Sequence, residues 1–430
     1  MKVYFAILLC TIFIYLGACR EEKSHYKTRS SLVKIINIRL NLDSVFNSGD
    51  SVLKDSGTLE LADVQLIQLK AKDTLIHPNV QKIIFWKDLI YCFDISINPS
   101  VTIFDSSGNL KRVIKGKSGE KYYFDRLVDG NIDENNGNVL LVGNKKNSWL
   151  NLLQFDSSGT FINSTRTKYN GKLSFMPVNG KFYFYLSTGD AKGIRSLTEN
   201  KGEIGYRLFS SNNFSFNIEY KELPYLTKYV KSGINTFDNF SKLNEDTTIL
   251  FENFNDTIYS ISSGSVEPRY RISFEGNKTK LPEGFMQDKT IQDKAEFILK
   301  NKFPMLISVI ENANKVIGFF SHYNIKDNQR FVDYFIYDKK YGGIFGSHNF
   351  RLPAKFDGLP FNLNNESMPG FVNQVDGRFV SVINAEFLNN KLKEEERFNK
   401  GKGPIHELCK RNNFKNLDSA LPILMLFNLK

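Results

Sequence analysis

Short apolar runs bounded by polar turns recur along most of the chain, and they fall into two interleaved series. In the first, a polar turn leads into an apolar run. Lys87-Asp88 precedes 89–93, Asn136-Gly137 precedes 139–142 and Asn179-Gly180 precedes 182–185. Glu245-Asp246 precedes 248–251, Asn314-Lys315 precedes 316–320 and Asp376-Gly377 precedes 379–383. In the second series a run ends in an Asp/Ser/Gly turn. Phe104-Asp105-Ser106-Ser107-Gly108 returns as Phe155-Asp156-Ser157-Ser158-Gly159, with weaker copies at 209–214, 259–264 and 337–342 and a final apolar run at 423–430. Asp and Ser bond the local backbone and Gly supplies positive φ, which is hairpin chemistry.

Six turn-led strands alternating with six outgoing strands, at a spacing of about 50 residues, predict an all-β, six-bladed β-propeller of four-stranded antiparallel blades. A lone blade cannot bury both faces, whereas blades packed around an axis can. The run 33–40 is expected to add a strand to the last blade and close the ring. Helical insertions are expected at 288–300, where Ile291, Ala295 and Ile298 share a face, at 385–396, and from Pro404. Loops and insertions at one end of a rigid scaffold are where binding tends to reside.

The start of the chain reads differently. Lys2 is followed by an uncharged run to Ala18, short for a membrane-spanning helix and built like a secretory signal. Leu16-Gly17-Ala18-Cys19 resembles the bacterial lipobox, which implies cleavage before Cys19 and acylation of its thiol. The expected organisation is a signal peptide over 1–18, a polar tether over 19–31 and the propeller over 32–430. Membrane lipid is then a partner through acylated Cys19, since several buried acyl chains anchor stably. The expected address is the outer membrane, on either its cell-surface or its periplasmic face.

Composition supports a globular β protein: 41% hydrophobic, 24% charged, with 37 Phe and 19 Tyr. Of four cysteines, Cys10 leaves with the signal and Cys19 is acylated, so Cys92 and Cys409 remain; an oxidising envelope would let them pair, and free buried thiols are the default expectation. The net charge of +11 is spread through the chain without a basic block, so it reads as a solubilising surface, and no nucleic acid is expected as a partner.

Chemistry is sparse. Asp129-Gly130-Asn131-Ile132-Asp133 begins like a calcium loop, but Glu134 and Leu140 stand where the loop needs Gly and Glu, and a turn before the strand at Val139 accounts for it. His406-Glu407-Leu408-Cys409-Lys410 lacks the second histidine of a zincin helix. His25, His77, His322, His348 and His406 are scattered. No catalytic, cofactor-binding or metal residues are assigned, and no cofactor is expected.

The lipobox, the Phe-Asp-Ser-Ser-Gly turns, Tyr334-Phe335-Ile336-Tyr337-Asp338 and the terminal Leu426-Phe427-Asn428-Leu429-Lys430 together resemble the six-bladed, TolB-like β-propeller lipoproteins of gut-type Gram-negative bacteria. Members often carry a Gly-Pro-Gly-Glu-Tyr-like segment after the first blade's outgoing strand. Here Gly116-Lys117-Ser118-Gly119-Glu120-Lys121-Tyr122-Tyr123 is an altered version. The resemblance implies the fold and carries no activity. The expected role is a monomeric binding scaffold for a protein, peptide or glycan, with an envelope hydrolase or lyase, its site at the axis, as the alternative.

Overall fold

The computed structural model describes residues 35–41, 59–70, 80–95, 98–116, 122–145, 148–169, 171–186, 206–217, 219–224, 239–253, 255–262, 264–275, 293, 296–297, 304–324, 329–347, 353–356, 359–362, 371–375, 377–399, 403–412, 414 and 422–429. The signal at 1–18, Cys19 and the tether at 19–31 lie outside them. So does the helical stretch expected at 288–300, apart from Asp293, Glu296 and Phe297, which are helical.

Two strands, β1 (Ile36–Asn41) and β2 (Leu59–Gln68), come first. Blade 1 is β3 (Lys82–Trp86), β4 (Leu89–Asp94), β5 (Ser100–Asp105) and β6 (Leu110–Lys115). Blade 2 is β7 (Arg126–Asp133), β8 (Asn138–Asn144), β9 (Asn151–Phe155) and β10 (Phe161–Arg166). Blade 3 is β11 (Leu173–Val178), β12 (Lys181–Leu186), β13 (Tyr206–Ser211) and β14 (Tyr220–Pro224). Blade 4 is β15 (Phe240–Lys242), β16 (Thr247–Leu250), β17 (Thr257–Ser262) and β18 (Ser265–Glu275). Blade 5 is β19 (Met305–Glu311), β20 (Lys315–Asn324), β21 (Gln329–Asp338) and β22 (Ile344–Ser347). A hairpin of β23 (Pro353–Phe356) and β24 (Leu359–Asn362) precedes blade 6. That blade takes β25 (Phe371–Val375), β26 (Arg378–Asn384) and β27 (Pro422–Leu429), with β2 as its fourth strand. Between β26 and β27 run α1 (Ala385–Asn399) and α2 (Pro404–Arg411), where the sequence places helices. The chain is thus a six-bladed β-propeller. The turn-led runs are the second strands of all six blades, and the outgoing runs are the third strands.

The middle strands are apolar without alternation because both of their faces are buried. In β8, Val139 and Leu141 pack toward blade 1, while Leu140 and Val142 pack toward blade 3. In β12, Phe184 faces blade 2 while Tyr183 and Tyr185 face blade 4. The described residues hold six such hydrophobic clusters, one at each blade–blade junction. The cluster joining blade 6 to blade 1 sets Leu424 and Leu426 against Ile90 and Phe104, so the ring is sealed by the same burial that joins every other pair. First strands touch in succession around the axis from β3 through β25 and back.

Ring closure differs from the expectation. The strand over 36–41 does not enter the last blade. It pairs in parallel with β18, Ile36 opposite Tyr270, and extends blade 4 to five strands. Closure belongs to β2, which pairs antiparallel with β27 from Leu61–Leu429 to Gln68–Ile423. The β23–β24 hairpin then adds in parallel to β2, making the closing sheet six-stranded.

The repeated Phe-Asp-Ser-Ser-Gly turns have one architectural role. Asp105 Oδ1 accepts the Ser107 and Asn109 amides, and Asp156 Oδ1 accepts the Thr160 amide. Gly108 and Gly159 sit at φ +80 and +82, each against the fourth strand of the preceding blade. A Cβ on Gly108 would lie 2.0 Å from the Gln68 carbonyl oxygen.

Candidate functional site

Blades 1 to 5 are meanders with the first strand innermost, and blade 6 keeps that order with β2 as its fourth strand, so the connections sort to two ends of the ring. Hairpins joining first to second and third to fourth strands share one end, where turns are short and interlocked. There Trp86 Nε1 donates to the Glu134 carbonyl at 3.0 Å, Asn179 Nδ2 to the Asp246 carbonyl at 3.3 Å and Asn312 Nδ2 to the Gly377 carbonyl at 3.0 Å. Lys242 of blade 4 also pairs with Glu134 of blade 2, reaching past blade 3. The opposite end receives the second-to-third-strand and blade-to-blade connections. These include the long stretches between β12 and β13 and between β18 and β19, together with α1 and α2.

Three ion pairs built on buried carboxylates stitch neighbouring blades. Asp129, wholly buried on β7, accepts Lys82 Nζ at 3.2 Å and the Gly130 amide at 2.7 Å on Oδ1, and the Phe175 amide at 2.8 Å on Oδ2. One carboxylate thereby ties the first strands of blades 1, 2 and 3. Between blades 3 and 4, Glu252 accepts Arg207 Nε at 2.7 Å and Nη2 at 3.1 Å, the Tyr185 hydroxyl at 3.0 Å and Asn255 Nδ2 at 2.6 Å. Between blades 4 and 5, Glu311 accepts Arg269 Nε at 2.9 Å and Nη2 at 2.7 Å, the Tyr270 hydroxyl at 2.7 Å, and Lys339. Burial opposes ionisation of Glu252 and Glu311, but the neighbouring cations and donors outweigh it and hold both carboxyls below the usual range. With their oxygens saturated, these acids act as clamps between blades.

The sequence motifs disperse. Asp129 and Asn131 lie within β7, not in a turn or a metal loop, and the turn proper starts at Asp133, whose carbonyl accepts the Gly137 amide at 2.6 Å. The calcium-like spelling is an inner strand with polar residues at every second position, a period-2 signal that marks one polar face. Among the described residues no three His, Cys, Asp or Glu side chains gather to hold a metal. Cys92 on β4 and Cys409 on α2 are free and buried; burial pushes the Cys92 thiol up to about 12, and burial with the nearby Glu395 charge pushes Cys409 up to about 11. His406 lies on α2, where Glu395 Oε2 accepts its backbone amide at 2.9 Å, and His322 lies on β20. His25, His77 and His348, and residues 117–121 of the altered glycine segment, are outside the described residues. Among the described residues no helix is long and apolar enough to cross a membrane.

A group of side chains of mixed exposure stands on the loop-rich end of blade 2. Tyr123, at the end of the altered glycine segment, lies beneath Lys145, whose Nζ is 4.9 Å from the ring centroid. Asn144 closes the adjoining loop: its Nδ2 donates to the Ser148 carbonyl at 2.6 Å, and its carbonyl accepts the Asp125 amide at 3.2 Å. Asn144 is 2% exposed, and its Oδ1 is buried without a hydrogen-bond donor. Trp149, in the same loop, is 43% exposed.

Comparison with solved structures finds a likeness to a protein of Bacteroides fragilis NCTC 9343 described as exported. It has 16% identity and a TM-score of 0.63, over 92% of this chain and 99% of that one. Such a likeness establishes a shared fold. The GH74 enzyme of Niastella koreensis matches at 10% identity and TM-score 0.35, over 76% of this chain and 42% of that one. A protein of Agrobacterium tumefaciens assigned as TolB matches at 12% identity and TM-score 0.30, over 71% and 98%. Neither of these two carries an argument. Comparison with curated proteins finds no match. A family model spanning residues 40–428, nearly the whole ring, makes the chain a member of the domain of unknown function family DUF4934.

Proposed function

We propose that the chain is an exported lipoprotein of the outer membrane, anchored through acylated Cys19, whose ring is a rigid scaffold that presents a recognition surface on its loop-rich end. The observation that carries the recognition role is the asymmetry of the two ends. One is laced by short turns that bond to each other, and the other gathers the long connections and both described helices. Binding surfaces concentrate on loops held by such a frame. The saturated carboxylates at three blade junctions support a scaffold, because their charge is committed to neighbouring blades.

Export is supported by the signal-like start and by the likeness to an exported protein. The anchor rests on Leu16-Gly17-Ala18-Cys19, and the strongly hydrophobic product of acylation suits stable residence in a bilayer. Fractionation with radiolabelled palmitate tests it. The parent chain is expected to carry label and sediment with outer membrane, and Cys19→Ala to lose the label and leave that fraction. Unchanged sedimentation of Cys19→Ala overturns the anchor. For the recognition role, the detergent-solubilised full chain is incubated with glycans and peptides. Saturable binding with the ligand recovered intact is expected, whereas release of cleavage products would make the chain an envelope enzyme instead.

A further inference from the structure

The large hydrophobic side chains left exposed are not scattered evenly over the ring. Among the described residues, Leu110, Ile162, Tyr220, Tyr341 and Ile344 stand at the turn-laced end, whereas Trp149 alone stands at the loop-rich end. Tyr341 is 76% exposed and Ile162 47%. Each of the five lies at or beside the start of a fourth strand, β6, β10, β14 or β22, and so on the outer rim of blade 1, 2, 3 or 5. Apolar groups gathered on one face mark a surface that meets something other than water. Lysines accompany the rings at this end. Lys87 Nζ lies 4.4 Å from the Trp86 ring centroid, Lys181 Nζ 3.9 Å from that of Tyr220 and Lys340 Nζ 4.9 Å from that of Tyr341. Rings with a polar tip, beside ammonium groups on flexible stems, suit the headgroup layer of a bilayer. Acids of the same turns are committed to the turns themselves. Asp105 Oδ1 accepts the Ser107 and Asn109 amides, and Asp338 Oδ1 accepts the Lys340 and Tyr341 amides at 2.8 and 3.0 Å.

The direction of β1 points to the same end independently. It runs parallel to β18, from Ile36 opposite Tyr270 to Asn41 opposite Glu275. β18 starts at Ser265, directly after the hairpin from β17 at the turn-laced end, and runs toward the loop-rich end. The chain therefore enters β1 from the turn-laced side. Tyr270 is five positions along β18 from Ser265, about 17 Å at strand spacing. A flexible polar linker as long as residues 20–35 averages about 20–24 Å end to end, enough to cover that distance.

We propose that the turn-laced end is a membrane-contact face, laid against the phospholipid bilayer that holds acylated Cys19, with the loop-rich end turned away from it. This rests on the lipid anchor proposed above. The rim side chains enter the headgroup layer, and Lys87, Lys181 and Lys340 stay at the level of the phosphates. Apolar contact and acyl chains then act together, as two weak membrane signals commonly do. A second protein would also cover an apolar rim, but the entry of the chain into β1 from this side favours the bilayer.

The chain has two tryptophans, Trp86 and Trp149, which makes single reporters simple to build. Trp86→Phe leaves Trp149 as the reporter of the loop-rich end. Adding Trp149→Phe and either Tyr341→Trp or Ile162→Trp places the reporter on the rim of blade 5 or of blade 2. Each full chain, purified from membranes, is reconstituted into vesicles of phosphatidylethanolamine and phosphatidylglycerol, with plain or brominated acyl chains. Flotation reads the anchor, and mass spectrometry reads acylation of Cys19. Brominated lipid is expected to lower emission from positions 341 and 162 about twofold or more, as for side chains at the headgroup–acyl boundary, and to leave Trp149 unchanged. Adding Tyr220→Ser and Ile344→Asp to the reporter at 341 is expected to return its emission toward the plain-vesicle value while the chain still floats. Thermal midpoints near the parent value establish that these exposed substitutions leave the ring folded.

Quenching of Trp149 with the rim positions unaffected inverts the orientation and overturns the proposal. Quenching at one rim position without the other overturns contact by the whole face. Unchanged emission at all three positions in a chain that floats overturns the membrane face while leaving the anchor in place, and makes a protein the occupant of the rim. Undiminished quenching after Tyr220→Ser and Ile344→Asp overturns the role of the rim side chains. A chain that is not acylated and does not float removes the anchor, and the membrane face with it.

Discussion

At Gly108 the backbone lies in the left-handed region, and a side chain would meet the Gln68 carbonyl oxygen at 2.0 Å. Both constraints act together, so Gly108→Ala is expected to cost about 1–3 kcal/mol in conformational strain, with the steric clash adding to it. Gly180 makes the contrast, with a similar φ of +77 and nothing within 4 Å of its Cβ position. Gly180→Ala is expected to carry the strain alone, and chemical denaturation of the two variants measures the difference. The motif that reveals Gly108 in the sequence is legible because a turn writes its requirements into adjacent residues. Asp129 shows the opposite case. Its partners Lys82 and Phe175 come from strands on either side, and its neighbours in sequence spell a plausible loop, so only the register of three blades reveals an interblade tie.

The second and third strands of each blade were legible as strands, and their partners were not. The run 33–40 carries strand composition, whereas 59–68 falls outside both repeated series, and the order of the chain does not tell which one meets the far terminus. The structure settles it through burial: Leu61 and Leu66 of β2 enter the cluster beneath blades 5 and 6, whereas Ile38 and Leu40 of β1 enter the one between blades 4 and 5. The two strands therefore differ in consequence. Deleting residues 36–41 is expected to lower the stability of blade 4, at about 1.5–3 kcal/mol for each buried aliphatic side chain lost, while leaving the ring shut. Leu66→Asp is expected to open it, because an unpaired charge enters the closing sheet's core. Limited proteolysis distinguishes the two, with cleavage confined to blade 4 in the first and spread through the ring in the second. The polar clusters on the loop-rich end escape sequence reading for a related reason. Tyr123 and Lys145 lie just outside the paired strands β7 and β8, where Arg126 stands opposite Asn144, and only the register of blade 2 brings them together.

Across the whole molecule, hydrophobic clusters and ionic clamps alternate around the same junctions, so stability is tied to the ionisation of a few acids. Glu252 and Glu311 have folded-state values below their ordinary 4.5. The stability they contribute is therefore present above about pH 4.5 and is lost as pH falls through the depressed values. Thermal midpoints measured from pH 7 down to pH 3 are expected to fall steeply across this window. Glu252→Ala leaves Arg207, 3% exposed, without its carboxylate. It is expected to cost about 3–5 kcal/mol at neutral pH and to flatten the acid limb of the profile. A profile as steep as the parent's would assign the acid sensitivity elsewhere.

The pairing of β2 with β27 also sets an order of events. Leu61 waits for Leu429, so a chain emerging from the ribosome or threaded through a pore holds a completed first blade beside an unfilled seam until its last strand arrives. During that interval the exposed edge of β2 and the apolar flank of blade 1 stand open to improper partners. The ring is in this sense a clasp fastened by its final link, and a chaperone that shields that seam would act on the one step that every earlier blade depends upon.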